Sequence, residues 1–358
     1  MEKLRYALIG CGRICKNHIS AVNSLSDRVM LTALCDLEQC ALEKALNMAE
    51  NNVQNVKTYT DYKAMLANEQ LDFIAVATDS GKHAQIALDC MDAGVNVLIE
   101  KPIALSIKDA DALIKKSEQK GLLLGACHQN RFNKAIAKIR GAVEAGDFGK
   151  LFNANAVIRW SRDKNYYDSG AWRGTWEQDG GALMNQCIHN IDLLRWMLGD
   201  DIDEVTALTA NQNHPYIEGE DFGVAIIKFS NGAIGTVEGS VNIYPNNLEE
   251  TLSIFGEKGS VRAAGTAVNT IDLWKFQNQD EAYVKNEVCE HPENVYGSGH
   301  TLLYRDFVDA LINKRPLYVD GYTGKRALEL VLAIYKSAKE HKTVKLPLDD
   351  FSTLDMKS

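Results

Sequence analysis

Short apolar runs and amphipathic stretches alternate over the first third of the chain. Tyr6–Ile9, Val29–Cys35, Phe73–Ala77, Val95–Ile99 and Leu122–Cys127 are nearly unbroken apolar runs, the pattern of strands covered on both faces. Glu38–Glu50, His83–Ala93 and Ile107–Lys120 lie between them with helix-like spacing, and Gly94 and Gly121 follow two of these as C-terminal stops. This alternation predicts a doubly wound parallel sheet. Beyond about residue 128 the period becomes two: Phe152, Ala154, Ala156, Ile158 and Trp160 alternate with more polar neighbours. Phe222–Phe229, Ser230-Asn231-Gly232 and Ala233–Val241 predict a hairpin. Leu252–Phe255, Gly256-Glu257-Lys258-Gly259 and Ser260–Ala263 predict another. Helix-like pieces at Lys134–Ala145, Gly181–Leu198 and Thr323–Glu340 complete the second half. The expected fold class is α/β. A doubly wound domain spans residues 1–126, and an α+β domain with a large, mostly antiparallel open sheet spans 127–358.

Composition narrows the class. The chain has 358 residues, 46% apolar and 24% charged, as expected of two globular domains. A formal charge of −9 gives no general attraction to nucleic acid or anionic lipid. No run of eighteen apolar residues occurs, and the start MEKLRYALIG has no signal-peptide layout, so the expectation is a cytoplasmic chain without a membrane partner. The eight cysteines (Cys11, Cys15, Cys35, Cys40, Cys90, Cys127, Cys187 and Cys289) form no CxxC pair and no finger-like set with histidine. They are expected to be reduced thiols, most of them buried, and no metal site is expected.

The first strand runs into Gly10-Cys11-Gly12-Arg13-Ile14-Cys15. Gly10 permits the tight turn, and Gly12 lets the main chain approach a pyrophosphate at the next helix N-terminus. Asp36, at the end of the second strand, is placed to accept hydrogen bonds from ribose hydroxyls and to repel a 2′-phosphate, which favours NAD over NADP. Glu100-Lys101-Pro102 closes the fourth apolar run. A lysine there faces the ligand crevice of a parallel sheet and suits a substrate hydroxyl with developing negative charge. Farther on, Asn185, Gln186, His189 and Asp192 share one polar stripe of a helix, and His189 has the ordinary pKa range of a general base. His300 and Tyr304, one turn apart near a helix start, are further candidates for the site.

Gly10–Cys15, Ala77-Thr78 with His83 beyond, Glu100-Lys101-Pro102 and His189-Asn190-Ile191-Asp192 resemble the Gfo/Idh/MocA oxidoreductases over nearly the whole length. The resemblance implies a Rossmann domain plus an α/β domain with an open sheet, and an NAD-dependent dehydrogenase. It implies a homodimer or homotetramer with the open sheets packed face to face. It places Gly10, Gly12, Arg13, Ile14, Asp36, Thr78, His83, Glu100, Lys101, Gln129, Trp172 and Arg173 at the cofactor. Lys101 and His189 are the catalytic pair, either of which takes the hydroxyl proton. The family's usual Asp four residues before the histidine is replaced by Asn185.

His128–Asn133, Arg159-Trp160, Tyr166-Tyr167-Asp168, Trp172–Trp176, Met184-Asn185-Gln186 and Gly299-His300 resemble the nucleotide-sugar subgroup, which includes UDP-N-acetylglucosaminuronate 3-dehydrogenases of surface-polysaccharide synthesis. In that subgroup Asn at 185 is expected. The narrower resemblance implies oxidation of a sugar 3-hydroxyl. Lys101, Arg159, Tyr166, Asn185, Gln186, His189, His300 and Tyr304 are the candidates for substrate contact, and 2-oxoglutarate is a candidate second substrate that reoxidises the cofactor. An inositol, polyol or free-sugar dehydrogenase is the alternative; a non-catalytic NAD-binding regulator is more remote, because Lys101 and His189 are both present.

Overall fold

A computed structural model describes residues 2–49, 55–265, 267–277, 279–288 and 299–357. The chain folds as two units. The first comprises residues 1–104, 108–128 and 300–325; the second comprises 105–107, 129–299 and 326–358.

The first unit is built on a six-stranded sheet of β1 (Leu4–Ile9), β2 (Val29–Cys35), β3 (Lys57–Tyr59), β4 (Phe73–Val76), β5 (Asn96–Ile99) and β6 (Leu124–Ala126). The order is β3-β2-β1-β4-β5-β6 and all the pairings are parallel. The order reverses beside β1, which is where open α/β sheets bind ligands. Helices α1 (Cys15–Asn23), α2 (Gln39–Met48), α3 (Tyr62–Asn68), α4 (His83–Asp92) and α5 (Ile107–Lys120) connect the strands. Every residue of β4 and β6 is buried, which explains why these strands read as unbroken apolar runs. Gly94 and Gly121 adopt φ values of 83° and 64°, the left-handed conformation that stops α4 and α5. The predicted end of α2 at Glu50 and the cysteine Cys289 lie outside the described residues.

The second unit begins with α6 (Lys134–Glu144), β7 (Leu151–Arg159), α7 (Lys164–Asp168) and α8 (Ile188–Leu198). It continues through β8 (Ile202–Ala210), β9 (Phe222–Phe229), β10 (Ile234–Ser240), β11 (Glu249–Gly256), β12 (Gly259–Ala264), β13 (Thr270–Phe276) and α9 (Glu281–Val288). After α10 (Gly299–Asn313) and α11 (Gly321–Glu340), β14 (Val344–Lys345) completes an eight-stranded sheet of order β13-β12-β11-β7-β10-β9-β8-β14. Only the β7–β10 pairing among these is parallel. Its inner face carries Ala154, Ala156, Ile158, Ala225, Ile227 and Val237, all buried, while Val224, Ile226 and Lys228 of the same sheet are exposed.

The expected boundary near 126 differs from this division in two places. Residues 300–325 group with the first unit because Phe307 packs 5.5 Å from Phe73, and Tyr304 hydrogen-bonds Tyr6 at 2.7 Å. Residues 105–107 group with the second because Thr353 N–H donates to Leu105 O and Ile107 N–H to Phe351 O. No helix among the described residues is long and apolar enough to cross a membrane.

Candidate active site

In the first unit, β1 delivers the chain into the glycine turn. Gly10 has φ 98°, and a Cβ there would lie 2.4 Å from Ala77 O, so the turn and the end of β4 touch through bare main chain. A Cβ on Gly12 would meet no protein atom within 4 Å. One glycine thus closes the turn and the other leaves its outer side clear, as a pyrophosphate cradle requires. Asp36 accepts the Cys11 N–H at 2.6 Å and the Glu38 N–H at 2.9 Å, so its carboxylate stands between the glycine turn and the start of α2. Arg13 is exposed, Ile14 is half-buried, and Thr78 sits half-buried at the end of β4.

Two residues expected at the cofactor turn inward instead. His83 is buried, with Nδ1 2.8 Å from Pro102 O and Nε2 3.0 Å from Thr78 O. It pins two loops together, and burial lowers its pKa. Glu100 is also buried: His300 Nε2 lies 3.3 Å and His18 Nε2 3.2 Å from its Oε1, while its Oε2 accepts the Lys101 N–H at 3.2 Å. Burial raises the Glu100 pKa, but the two imidazoles outweigh it and hold the carboxyl well below the usual range. Two expected substrate contacts are corrected here as well. Tyr304 is fully buried, bonding Tyr6 and His18, and His300 is buried against Glu100. Neither side chain has a surface for a sugar. Lys101 is half-buried on the turn after β5.

In the second unit, the expected regular helix from Gly181 is interrupted. Leu183–Cys187 form a π-helix that passes into α8. This widened turn is a frequent mark of functional sites. It rests on a floor of glycines: a Cβ on Gly239 would lie 2.5 Å from Leu183 Cδ2 and 2.8 Å from Cys187 Sγ, and one on Gly223 would lie 2.7 Å from Leu183 Cδ1. From Asp179 to Arg195 every residue is buried except Asn185 and His189. Those two therefore form the accessible part of the stripe. Asp192 is not part of it: its carboxylate receives Arg131 through two 2.7 Å bonds in the interior.

Gln129 Nε2 lies 3.2 Å from His189 Nε2, so this residue, expected at the cofactor, orients the imidazole. Asn185 donates to Asp179, a buried carboxylate that also accepts the Gly174 N–H at 2.6 Å. Sequence reasoning misses Asp179, whose one signal is an acid directly before Gly180-Gly181. Gln186 donates to Tyr166 Oη at 2.9 Å, and Arg173 donates to the same oxygen at 2.7 Å. The Arg173 guanidinium lies 4.4 Å from the Tyr166 ring and 4.3 Å from the Trp172 ring. Arg162 lies 5.0 Å from the same Tyr166 ring and 4.7 Å from Trp160. Two cations thus share one tyrosine.

Arg159 departs from its expected role. The strand period puts it on the outer face of β7, opposite Ile158 and α8. Its guanidinium is committed to Glu238 at 2.7 and 2.8 Å and to Glu249 at 2.6 Å, so it does not offer its fork to a substrate anion. Arg162, three residues on and beyond the strand, has no sequence pattern that marks it. At the start of the π-helix, Glu220 accepts the Leu183 N–H at 2.6 Å and the Tyr335 hydroxyl at 2.8 Å. Burial, opposed by these bonds, pushes its carboxyl up to about 8.

Comparison with known proteins agrees with the two-domain fold. Residues 4–128 match the family description "Oxidoreductase family, NAD-binding Rossmann fold", and residues 140–346 match "Oxidoreductase family, C-terminal alpha/beta domain". The chain is similar to the WlbA dehydrogenase of Bordetella pertussis, solved in complex with NADH and UDP-GlcNAcA. Identity is 38%, the TM-score is 0.89, and 97% of this chain and 99% of that chain are covered. The WlbA dehydrogenase of Chromobacterium violaceum, solved with the same two ligands, is 36% identical with TM-score 0.88, covering 98% of this chain and 97% of that one. Myo-inositol 2-dehydrogenase of Thermotoga maritima is 26% identical over 96% of this chain and 98% of its own length.

Proposed function

Because the chain belongs to the Gfo/Idh/MocA oxidoreductase family, we propose that it oxidises the 3-hydroxyl of a UDP-N-acetylglucosaminuronate-type nucleotide sugar with NAD. The observation that carries the anionic-substrate part of this reading is the pair of guanidiniums, Arg162 and Arg173, on the Tyr166 ring. Guanidinium geometry suits a diphosphate or a carboxylate. Tyr166 passes the orientation to Gln186, next to Asn185. The similarity to two structures that hold UDP-GlcNAcA supports the same substrate class.

Bound NAD supplies the acceptor for the hydride, and the glycine turn with Asp36 fits its pyrophosphate and ribose. Lys101 stabilises oxygen charge as the alcohol loses its proton. His189 takes that proton on Nε2: the Gln129 amide donates to this nitrogen at 3.2 Å, which keeps it unprotonated, and the substrate hydroxyl replaces Gln129 there. Asn185, held by Asp179, presents a fixed amide to the sugar. As an uncharged amide in place of the family's carboxylate, it adds no negative charge of its own to favour the protonated imidazole.

The open face of the second unit's sheet supports the expected oligomer. Leu208, Val224, Ile226 and Ile234 are exposed on three adjacent strands, an apolar surface suited to a second copy of the same face.

The deciding experiment is mass spectrometry of UDP-N-acetylglucosaminuronate incubated with enzyme, NAD+ and 2-oxoglutarate. A loss of two hydrogens, with fragments placing the ketone at C3, is the expected result. No change in a sample shown to bind NAD rejects this substrate. Oxidation of inositol instead would favour the alternative suggested by the inositol dehydrogenase relative.

A further inference from the structure

Three of the eight histidines surround a single turn of the first unit. His83 reaches Pro102 O, and His18 and His300 both reach Glu100. Lys101 stands between these anchored neighbours. His18, on α1, has no place in the reading above, and nothing in its local sequence marks it.

We propose that His18 is a positioning residue for the reaction: with His300 it fixes the Glu100 carboxylate, whose second oxygen holds the main-chain N–H of Lys101. The proposal rests on the reading of Lys101 as part of the reacting centre. Proton accounting supports it. A carboxylate only accepts, so each neighbour must donate. His18 then carries its proton on Nε2, 3.2 Å from Glu100 Oε1, and its Nδ1 needs a donor. The Tyr304 hydroxyl provides one at 2.6 Å, and Tyr304 in turn accepts from Tyr6 at 2.7 Å. The buried chain Tyr6, Tyr304, His18, Glu100 has one proton in each link, with neutral imidazole at His18. Burial lowers the His18 pKa despite Glu100, in keeping with a neutral ring.

One ring nitrogen each of His18 and His300 and one carboxylate oxygen of Glu100 lie within 4.8 Å of one another. His300 Nε2 hydrogen-bonds the shared oxygen at 3.3 Å, while His18 Nε2 stands 3.2 Å from it at ion-pair distance but out of hydrogen-bond alignment, so the His18 contact is a close polar approach. Its consequence lies at Lys101. If Glu100 turns, the Lys101 N–H loses its acceptor, and the base of the lysine side chain shifts relative to the substrate hydroxyl.

The test compares His18→Asn, His18→Gln and Lys101→Met in the full-length protein, using whichever sugar the wild type oxidises. Asparagine reaches only the Nδ1 position and abandons Glu100; glutamine places an N–H near the Nε2 position. The expected result is a kcat loss of about tenfold or more in His18→Asn, the scale of a displaced catalytic group. KM for NAD+ and the melting temperature stay near wild type, and His18→Gln recovers most of the rate. An unchanged kcat in His18→Asn, equal losses in both variants, or a loss that follows the melting temperature would overturn the proposal. Near-normal turnover by Lys101→Met would instead overturn the lysine reading on which it rests. If the wild type oxidises no sugar in the panel, the acylation rate of Lys101 by an amine-reactive ester, read by peptide mass spectrometry, decides. A rate altered in His18→Asn and restored in His18→Gln supports the positioning role, and equal rates reject it.

Discussion

Replacing Glu220 by glutamine isolates the electrostatics beneath the π-helix. Burial pushes the folded-state pKa of Glu220 from 4.5 to about 8. Between those values the folded protein keeps a proton that the unfolded chain has lost. Stability is therefore highest below the unfolded pKa, falls as pH rises through the window, and levels off above the folded pKa. The cost to the wild type is about 1 kcal/mol at pH 5, about 3 at pH 7 and about 4 at pH 8. Glu220→Gln keeps an oxygen for the Leu183 N–H and the Tyr335 hydroxyl but removes the titration. Any pH-independent difference between the two side chains cancels when the gap is compared across pH. Urea unfolding of wild type and variant at pH 5, 6, 7 and 8 should show the variant gaining about 3 kcal/mol relative to wild type from the lowest to the highest pH. A gap independent of pH would refute the reasoning, because it would mean that Glu220 does not titrate in this window.

Three further outcomes test the site. Gly239→Ala drives a methyl into Leu183 and Cys187; it should cost about 1–3 kcal/mol by overpacking and lower kcat by shifting Asn185, and thermal melts with steady-state kinetics would show whether either occurs. Asp36→Ala should lower the preference for NAD over NADP about tenfold or more, the loss of one charge-assisted contact and one repulsion, and equal affinity ratios by calorimetry would remove Asp36 from the ribose site. Ile226→Asp should weaken self-association, and an unchanged sedimentation coefficient would show that the open face is not the contact.

Much of the architecture was legible because each sheet imposes its own period. Strands buried on both faces read as runs, and β9, buried on one face, alternates over its whole length. Short β3, with both Lys57 and Thr58 exposed, carries neither pattern. The helix α10 could be guessed near its start, but nothing in its apolar residues says which core receives them; only the packing of Tyr304 and Phe307 decides that. The same limit governs the site. Histidine and tyrosine serve equally well in a pocket or behind one, so His300 and Tyr304 could not be told from substrate contacts by type and spacing. Arg159 and Arg162 differ by three positions, and the end of β7 separates an arginine bound into the sheet face from one stacked on Tyr166. Asp179 and Asn185 meet through a fold of the chain that no helical spacing describes.

The π-helix also bears on how this protein tolerates changes in length. A π turn is an α-helix carrying one additional residue. Deleting a single residue within Leu183–Cys187 would let the segment relax to regular α-helix, a locally more favourable backbone. Because the wide turn spends its additional residue within a single turn, the flanking helix would stay nearly in phase and the side chains inside the segment would be re-aimed. After a deletion between them, Asn185 and His189 would stand three residues apart instead of four, and their present mutual placement above the floor of Gly223 and Gly239 would be lost. In this segment a shorter chain gives the better helix and the poorer enzyme, so length itself, as much as residue identity, is under functional constraint.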